Sequence, residues 1–485
     1  MTRLAEPQVS FADLEFFTQG IDLDPILKRI SEILDHHPKI AKLVGKDLER
    51  GVKKPDMGRS GMTAPQVVRS LILMRVKNCD YRELRERIAD GYTLRQFTGF
   101  YSMRVPKHDA FNRAFNKLRP QTIQALNDLV LKAAVDLGLE DGKRLRVDTT
   151  VTETDIHHPT DNTLLWDVVR VLTRLIGRLA KLLPKGIDGF PNRTRSARRR
   201  MQQIQRMTAR QRHNQQQKKY RQLIGITQQV VHNAQGILQA TKDQCAVELM
   251  DDLVIGELRR KIDHYCQLGL RVIDQSSRRV LNGEQVPTEE KIYSIFEVHT
   301  DLIKRGKIQK PMEFGHKIFL AESARGLITQ YRVLEGNPSD HVHVKPSLER
   351  HQETFGLAPD WYSSDRGFFS DENINACQGV KLVCIPQRGG KRSSKREALE
   401  KSPEFKKGQR FRAGIEGRIS VLFRGRGMKR CLAEGRERFE VLVGAAVPYK
   451  QPHDHRPPTE PKTKTPPTSG VEGAALSPSR DTPGA

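Results

Sequence analysis

The hydrophobic period of this chain switches at Lys143 from that of a helix to that of a strand, and soon switches back. Before the switch, Ile123, Leu126, Leu129, Val130, Ala133, Ala134 and Leu137 fall on one helical face that stops at Gly138. In LRVDTTVT, Leu145, Val147, Thr149 and Val151 alternate with Arg146, Asp148 and Thr150, which is the period of two of a strand. That strand carries a carboxylate in its middle. Leu165, Val168, Val169, Leu172, Leu175, Ile176 and Leu179 then restore a helical stripe that ends at Pro184. Strands resume near residue 293. EFGHKIFLA and GLITQYRVL, parted by a turn ending at Gly326, predict a hairpin. Residues 346–355 are expected to be helical, WYSSDRG to give a short strand ending at Asp365, and KLVCIP to give another strand stopped by Pro386. A basic loop, GGKRSSKRE, leads to an expected helix around Ile415–Phe423. A chain of this pattern belongs to the α/β class.

The first 140 residues are expected to be helical throughout. Pro65 suits a first helical turn, with Val68, Leu71, Ile72 and Arg75 following at helical spacing. Asp80 reads as an N-cap with Glu83 three residues on, and Gly91 as the matching C-cap. A further helix begins near Leu94, and Asp109 is expected to cap a short helix that ends at Pro120. Short turns between such helices suit a DNA-reading helix-turn-helix or any other small bundle.

Charge narrows the function. The 485 residues carry 83 Lys and Arg against 58 Asp and Glu, a formal net charge of +25 that favours polyanionic partners. From Gly189 to Lys242 there is no Asp or Glu, while Arg193, Arg195, Arg198, Arg199 and Arg200 open a basic, Gln-rich stretch. Surface helices normally mix signs to gain pairs one turn apart, so this run is expected to meet phosphate backbone. No apolar run is long enough to span a bilayer, and the first residues lack a signal-peptide core, so a soluble cytoplasmic protein without a membrane partner is expected. The six cysteines make no CxxC and are expected to stay reduced.

Any metal should then be a hard ion held by oxygen. Phosphodiester hydrolysis and strand transfer need an activated oxygen nucleophile and stabilisation of a leaving 3′ oxygen, and two such ions about 4 Å apart do both. Asp148, mid-strand, Asp365, at a strand end beside a glycine, and Glu416, on a helix one turn after Arg412, are the candidate ligands. Taken singly, each is an ordinary turn or surface acid. Asp155, His157, His158 and Asp161 also cluster, but their spacing matches no zinc pattern and reads better as a polar loop.

The order of these motifs resembles a bacterial insertion-sequence DDE transposase, closest to the set left unclassified among such families. The resemblance rests on the strand-borne Asp-Thr-Thr, then YSIFEVHTDLIKRGK, PMEFGHKIFLAES, SSDRGFF and a late Arg-x3-Glu, with YRELRERIADGYTLRQFTGF near the N-terminus. It covers most of residues 10–445. It implies an RNase H-like catalytic domain interrupted after its first strand by a helical insertion, and preceded by a helical N-terminal DNA-binding domain. The implied limits are 1–140 for the N-terminal domain, 141–160 and 291–447 for the catalytic domain, 161–290 for the basic insertion, and a disordered Pro/Thr-rich tail over 448–485. Asp148, Asp365 and Glu416 become the triad that holds Mg2+ or Mn2+. The partners implied are double-stranded DNA, both element terminal inverted repeats and target DNA, and further copies of the chain as a homodimer or larger assembly, in the bacterial cytoplasm on the nucleoid. Arg412, Arg418 and the 193–221 run, with Arg193, Arg195, Arg198, Arg199 and Arg200 at its head, would hold phosphates, and Arg424 and Lys429 would contact DNA as well.

Two departures stand against the family pattern. Gln409 occupies the position of its tyrosine and Phe423 that of its lysine, leaving Arg424, Arg426 or Lys429 to replace the lost cation. Beyond RERFEVLVG, where relatives continue into an apolar helix, the chain runs into VPYKQPHDHRPPTEPKTKTPP, so a shifted frame or truncated copy, with lost packing for the Glu416 helix, is expected. The alternatives to a transposase are therefore a decayed copy that only binds DNA and a different nuclease on the same fold, such as a junction resolvase.

Overall fold

Strand β1 (Arg144–Thr154) lies at the centre of the sheet on which the rest of the chain is built. The computed structural model describes residues 2–3, 23–36, 38–51, 59–77, 79–187, 189–245, 249–304 and 311–447. On one side β1 pairs antiparallel with β3 (Met312–Ser323), from Leu145 opposite Ser323 to Glu153 opposite Gly315. β3 also carries β2 (Asp301–Lys304) and β4 (Ile328–Val333), both antiparallel to it. On its other side β1 pairs parallel with β5 (Trp361–Ser363), which in turn pairs parallel with β6 (Leu382–Cys384). A two-residue strand, β7 (Arg430–Cys431), joins the far end of β1 in parallel. The fold is thus α/β with a mixed, open sheet.

Register sorts the side chains onto two faces, as a period of two demands. Val147 lies opposite Ala321 and Thr149 opposite Phe319. That face is closed by Val344, Tyr362, Phe368 and Ile385, with helix Val344–Phe355 against it. Arg146 opposite Glu322, Asp148 opposite Leu320 and Thr150 opposite Ile318 belong to the second face. Here Ile318 and Leu320 pack with Ile415 and Leu422 of helix Pro403–Gly425 and with Phe439 and Val443 of helix Arg436–Ala446. The simple alternation expected for β1 holds to Asp148. From Thr149 to Thr152 every residue is buried, because both faces of the sheet are covered there.

Among the described residues, four α-helices stand between β1 and β2: Asp161–Leu182, Thr194–Gln205, Ala209–Ala240 and Leu249–Ser276. Their core contains the whole expected stripe from Leu165 to Leu179, packed against Leu223, Val230, Ile262 and Val272. Gly269 permits the approach, since a Cβ there would lie 2.9 Å from Val168. Helix Thr194–Gln205 buries only Ala197 and Ile204, leaving its arginine face outward.

Among the described residues, seven helices from Pro25–His36 to Pro120–Asp136 form the N-terminal part, and a short parallel pair of Thr2–Arg3 with Arg59–Ser60 departs from the expectation of helix throughout. The start signals read from sequence, Asp80 as a cap and Pro65 in a first turn, act as expected, and a capping box not read from sequence precedes the second. Asp80 accepts hydrogen bonds from the Arg82 and Glu83 amides at 2.8 and 2.9 Å, and Gly91 ends that helix. Thr63 and Gln66 form a reciprocal capping box ahead of Pro65. Asp109 differs: helix His108–Phe115 starts from Lys107 without a side-chain cap, and Asp109 sits in its first turn. The N-terminal core also takes in Leu327, with Phe355 and Val441 packed against it. Gly444 is closed upon by Tyr331 and by Ile123 of helix Pro120–Asp136.

Other boundaries move for local reasons. Residues 293–300 form no strand, and β2 starts at Asp301. The basic stretch after β6 is partly helical, because Ser393 caps helix Ser394–Lys401. The expected helix at Ile415–Phe423 begins earlier, at Pro403, where Ser402 accepts from the Phe405 amide. β5 stops at Ser363, so Asp365 lies just past the strand. Helix Arg436–Ala446, the RERFEVLVG segment itself, packs Phe439 and Val443 with Ile415 and Leu422 of the Glu416-bearing helix, while the expected loss of a further apolar helix falls on the tail beyond. The tail from Pro448 lies outside the described residues. All six cysteines are free thiols, and no helix among the described residues is long and apolar enough to cross a membrane.

Gly315 tests this register. A Cβ at Gly315 would overlap the Thr152 carbonyl oxygen across the β1–β3 pair. Gly315→Ala is expected to destabilise the protein by about 1–3 kcal/mol, as overpacking against backbone does. A urea midpoint unchanged from the parent would refute the register.

Candidate functional site

β1 has a parallel partner at Arg144–Arg146 and again at Glu153–Thr154, and between these two stretches its edge faces a cleft. The cleft holds about 600 Å3, and Asp148, Asp340, Asp365, Lys304, Lys317 and Arg388 are among the residues that line it. It lies beyond the carboxyl end of β5, where β1 passes from antiparallel to parallel neighbours. Open α/β sheets place ligand sites at such reversals.

Local structure fixes each carboxylate. After β5 the chain turns tightly through Arg366–Phe368, and Asp365 caps that turn by accepting the Gly367 amide at 2.8 Å. Phe368 is fully buried and anchors the turn. Asp148 accepts the Thr149 amide at 2.7 Å on Oδ1, and its Oδ2 lies 3.6 Å from Nη1 of Arg412. Asp340 opens another short helical turn, Asp340–His343, and its Oδ1 accepts from the Thr149 hydroxyl at 2.8 Å and from Lys317 Nζ at 2.7 Å. Behind that turn, burial first, then Arg332 and Lys317, hold His343 down to about 4, so its ring is neutral at pH 7. Gly367 marks where two of the acids meet. A Cβ there would lie 2.9 Å from Asp340 Oδ2 and 3.0 Å from Asp365 Oδ1.

Asp148 and Asp365 therefore share the cleft, whereas Glu416 is outside its lining. The Glu416 side chain is 67% exposed and bonds Arg412 Nη1 at 3.0 Å. Arg412 is the link, touching both Glu416 and Asp148. Gln409, in the place of the family tyrosine, donates from Nε2 to the Ser364 carbonyl at 3.2 Å and to that of Cys384 at 2.6 Å. It ties together the ends of β5 and β6 next to Asp365. Phe423, in the place of the family lysine, packs into the apolar layer under the sheet.

What holds this helix down is a desolvated ion triad. Glu322 on β3, 1% exposed, receives Arg146 at 2.7 Å and Arg418 at 2.8 Å. Arg418 also donates to the Gly326 carbonyl at 2.6 Å. Expected on a DNA phosphate, Arg418 instead has its guanidinium turned inward onto Glu322 in this structure. Close approach requires Gly414, where a Cβ would overlap the Arg146 guanidinium, and Gly408, where it would overlap Cys384. Arg424 and Lys429 are exposed, and neither lines the cleft. Arg426 is partly buried against the Arg75 carbonyl, and burial, followed by Arg418, lowers its guanidinium to about 10.

The arginines at 193, 195, 198 and 199 are exposed, and Arg200 bonds Gln203 at 2.9 Å. The second acidic cluster is dispersed among other partners: His157 on Asp167, Asp155 on Arg430 and Asp161 on Arg279. Among the described residues no group of three His, Cys, Asp or Glu side chains is already arranged around a metal position. Asp340 escaped the sequence reading. It follows Asn337, Pro338 and Ser339, which look like any surface turn, and only the Thr149 and Lys317 contacts place it in the cleft. Comparison with protein-family models, with curated proteins and with solved structures finds no match to this chain.

Removing the Glu322 carboxylate tests the attachment. Glu322→Ala leaves two buried guanidinium groups unpaired and is expected to cost about 3–5 kcal/mol. Hydrogen exchange should then show faster opening of helix Pro403–Gly425 than of β1. Equal protection of both elements, with an unchanged unfolding midpoint, would remove the triad from this role.

Proposed function

We propose that the chain is a DDE transposase that cuts the ends of an insertion element and joins them to target DNA. The observation that carries the reading is that Asp148 and Asp365 line one cleft, although the whole helical insertion separates them in sequence. The mixed sheet supports an RNase H-like catalytic domain: its first strand is central, an antiparallel hairpin follows the insertion, and the second aspartate comes just after a parallel strand. The surplus of positive charge and the outward arginines at 193, 195, 198 and 199 support a DNA partner, engaged as inverted repeats and target by a dimer or larger assembly. The setting is the bacterial cytoplasm, on the nucleoid.

The donors of the cleft are carboxylate and hydroxyl oxygens, which suit a hard divalent cation. Asp148 and Asp365 would hold Mg2+ or Mn2+, with Glu416 as the family pattern's third carboxylate. When bound, the ions supply Lewis-acid activation of an oxygen nucleophile and stabilise the leaving 3′ oxygen. The chain's own groups orient the reaction. The turn capped by Asp365 fixes that carboxylate, and Gly367 leaves the space before it open. Gln409 fixes the strand ends from which the turn springs. Arg412 stands between Asp148 and Glu416 as their shared counter-charge, with its Nε buried and without a partner among the described residues.

Asp365→Asn should lower metal-dependent cleavage of element ends by about 10^3-fold or more, the order expected when transition-state charge loses its support, with end binding retained. Equal loss of binding and cleavage would reject the assignment. The second reading, a decayed copy that only binds DNA, is favoured by the outward position of Glu416. It prevails if the parent protein binds ends but cuts none in Mg2+ or Mn2+. Cut ends that never become joined to a new target would point instead to a nuclease such as a junction resolvase.

A further inference from the structure

The cleft brings cations together as well as acids. Lys304 comes from the end of β2, Arg366 from the turn after Asp365 and Arg388 from the loop after β6, and all three line it. Nearby basic groups are spoken for: Lys317 by Asp340, Arg412 by Asp148 and Glu416, and Arg392 and Arg396 by Glu400. Among the described residues no carboxylate forms an ion pair with Lys304, Arg366 or Arg388. The Arg388 loop has a defined base, since the Gln387 amide donates to Glu400 at 2.8 Å and Gly389 and Gly390 take left-handed φ of +63° and +69°. Converging like charges repel, and an anion between them reverses the sign of that energy.

We propose that Lys304, Arg366 and Arg388 form a phosphate-binding rim that receives the backbone of one nucleic-acid strand and positions it over the aspartates. The inference deepens the transposase reading and rests on it for the identity of the strand. Among the described residues four lining cations face three lining carboxylates, so the rim offsets the repulsion that the acids exert on an approaching phosphate. A cleft of about 600 Å3 is of the size that takes a small ligand, so it admits a short run of one strand rather than a duplex. Three cations on three separate elements suit successive phosphates along a strand better than one phosphate gripped from a single side.

The experiment measures binding of a fluorescent single-stranded DNA hexanucleotide over a range of salt, without divalent metal. The parent is the full chain with Arg193, Arg195, Arg198 and Arg199 changed to alanine, so that the exposed basic helix does not mask the cleft. Each phosphate contact on a single strand contributes about 0.7 to the slope of log affinity against log salt. Arg388→Ala should flatten the slope by about 0.7, and the triple alanine variant of Lys304, Arg366 and Arg388 by about 2. Arg388→Lys should keep the slope, which separates lost charge from lost folding. Slopes unchanged in the alanine variants, or no hexanucleotide binding by the parent, would overturn the rim. A mononucleotide giving the parent's full slope would overturn the strand as its ligand. Asp365→Asn separates the two readings, since it should abolish cleavage yet bind the hexanucleotide at least as tightly. If the chain cuts nothing while the rim variants still flatten the slope, the rim stands and the catalytic reading falls.

Discussion

Burying a carboxylate as deeply as Glu322 is costly unless donors replace the water it has lost, and here two guanidinium groups do so from different elements. Arg146 belongs to β1, Glu322 to β3 and Arg418 to helix Pro403–Gly425. The triad therefore settles where that helix lies across the sheet, and with it the positions of Gln409, Arg412 and Glu416. Gly408 and Gly414 make the approach sterically possible, while Ile415 and Leu422 supply the apolar contact beneath it. Apolar packing alone would tolerate the helix sliding by part of a turn. Two directional ion pairs to one carboxylate do not.

The cleft follows from what β5 does not do. It pairs with only the first residues of β1 and then leaves in a capped turn, so the middle of β1 keeps an open edge. Asp148 reaches that opening from the sheet and Asp365 from the turn, while Asp340 arrives through Thr149 and Lys317. Lys317 and Arg412 lie against these acids as counter-charges, which limits the repulsion of keeping several carboxylates close together. Acids and cations thus stand around one open space.

Much of this was legible in the residues. The period of two in LRVDTTVT, the stripe from Leu165 to Leu179, the hairpin around Gly326 and the cap at Asp80 are local signals, and each appears where expected. The exposed arginines at 193, 195, 198 and 199 follow from a run without acids, which has no partners along its own helix. Errors fell where a few hydrogen bonds decide. Ser402 starts the Glu416 helix well before its apolar pattern begins, and Lys107, not Asp109, precedes the short N-terminal helix. Arg418 looked like a surface cation because its partner Glu322 is remote in sequence, and Asp340 looked like a turn residue for the same reason.

The sequence by itself determined most of the main helices and strands, the large positive surplus, and that Asp148 and Asp365 stand on or beside strands. Those properties depend on backbone preference and side-chain period over a few neighbouring residues. Only the tertiary structure decided that the two aspartates and Asp340 line one cleft, that Glu416 lies outside it, and that Arg418 pairs inward with Glu322 while Arg388 lines the cleft. The physical reason is that charge acts through space. Whether a charged side chain is paired, buried or left for a ligand depends on neighbours brought in by folding from distant parts of the chain.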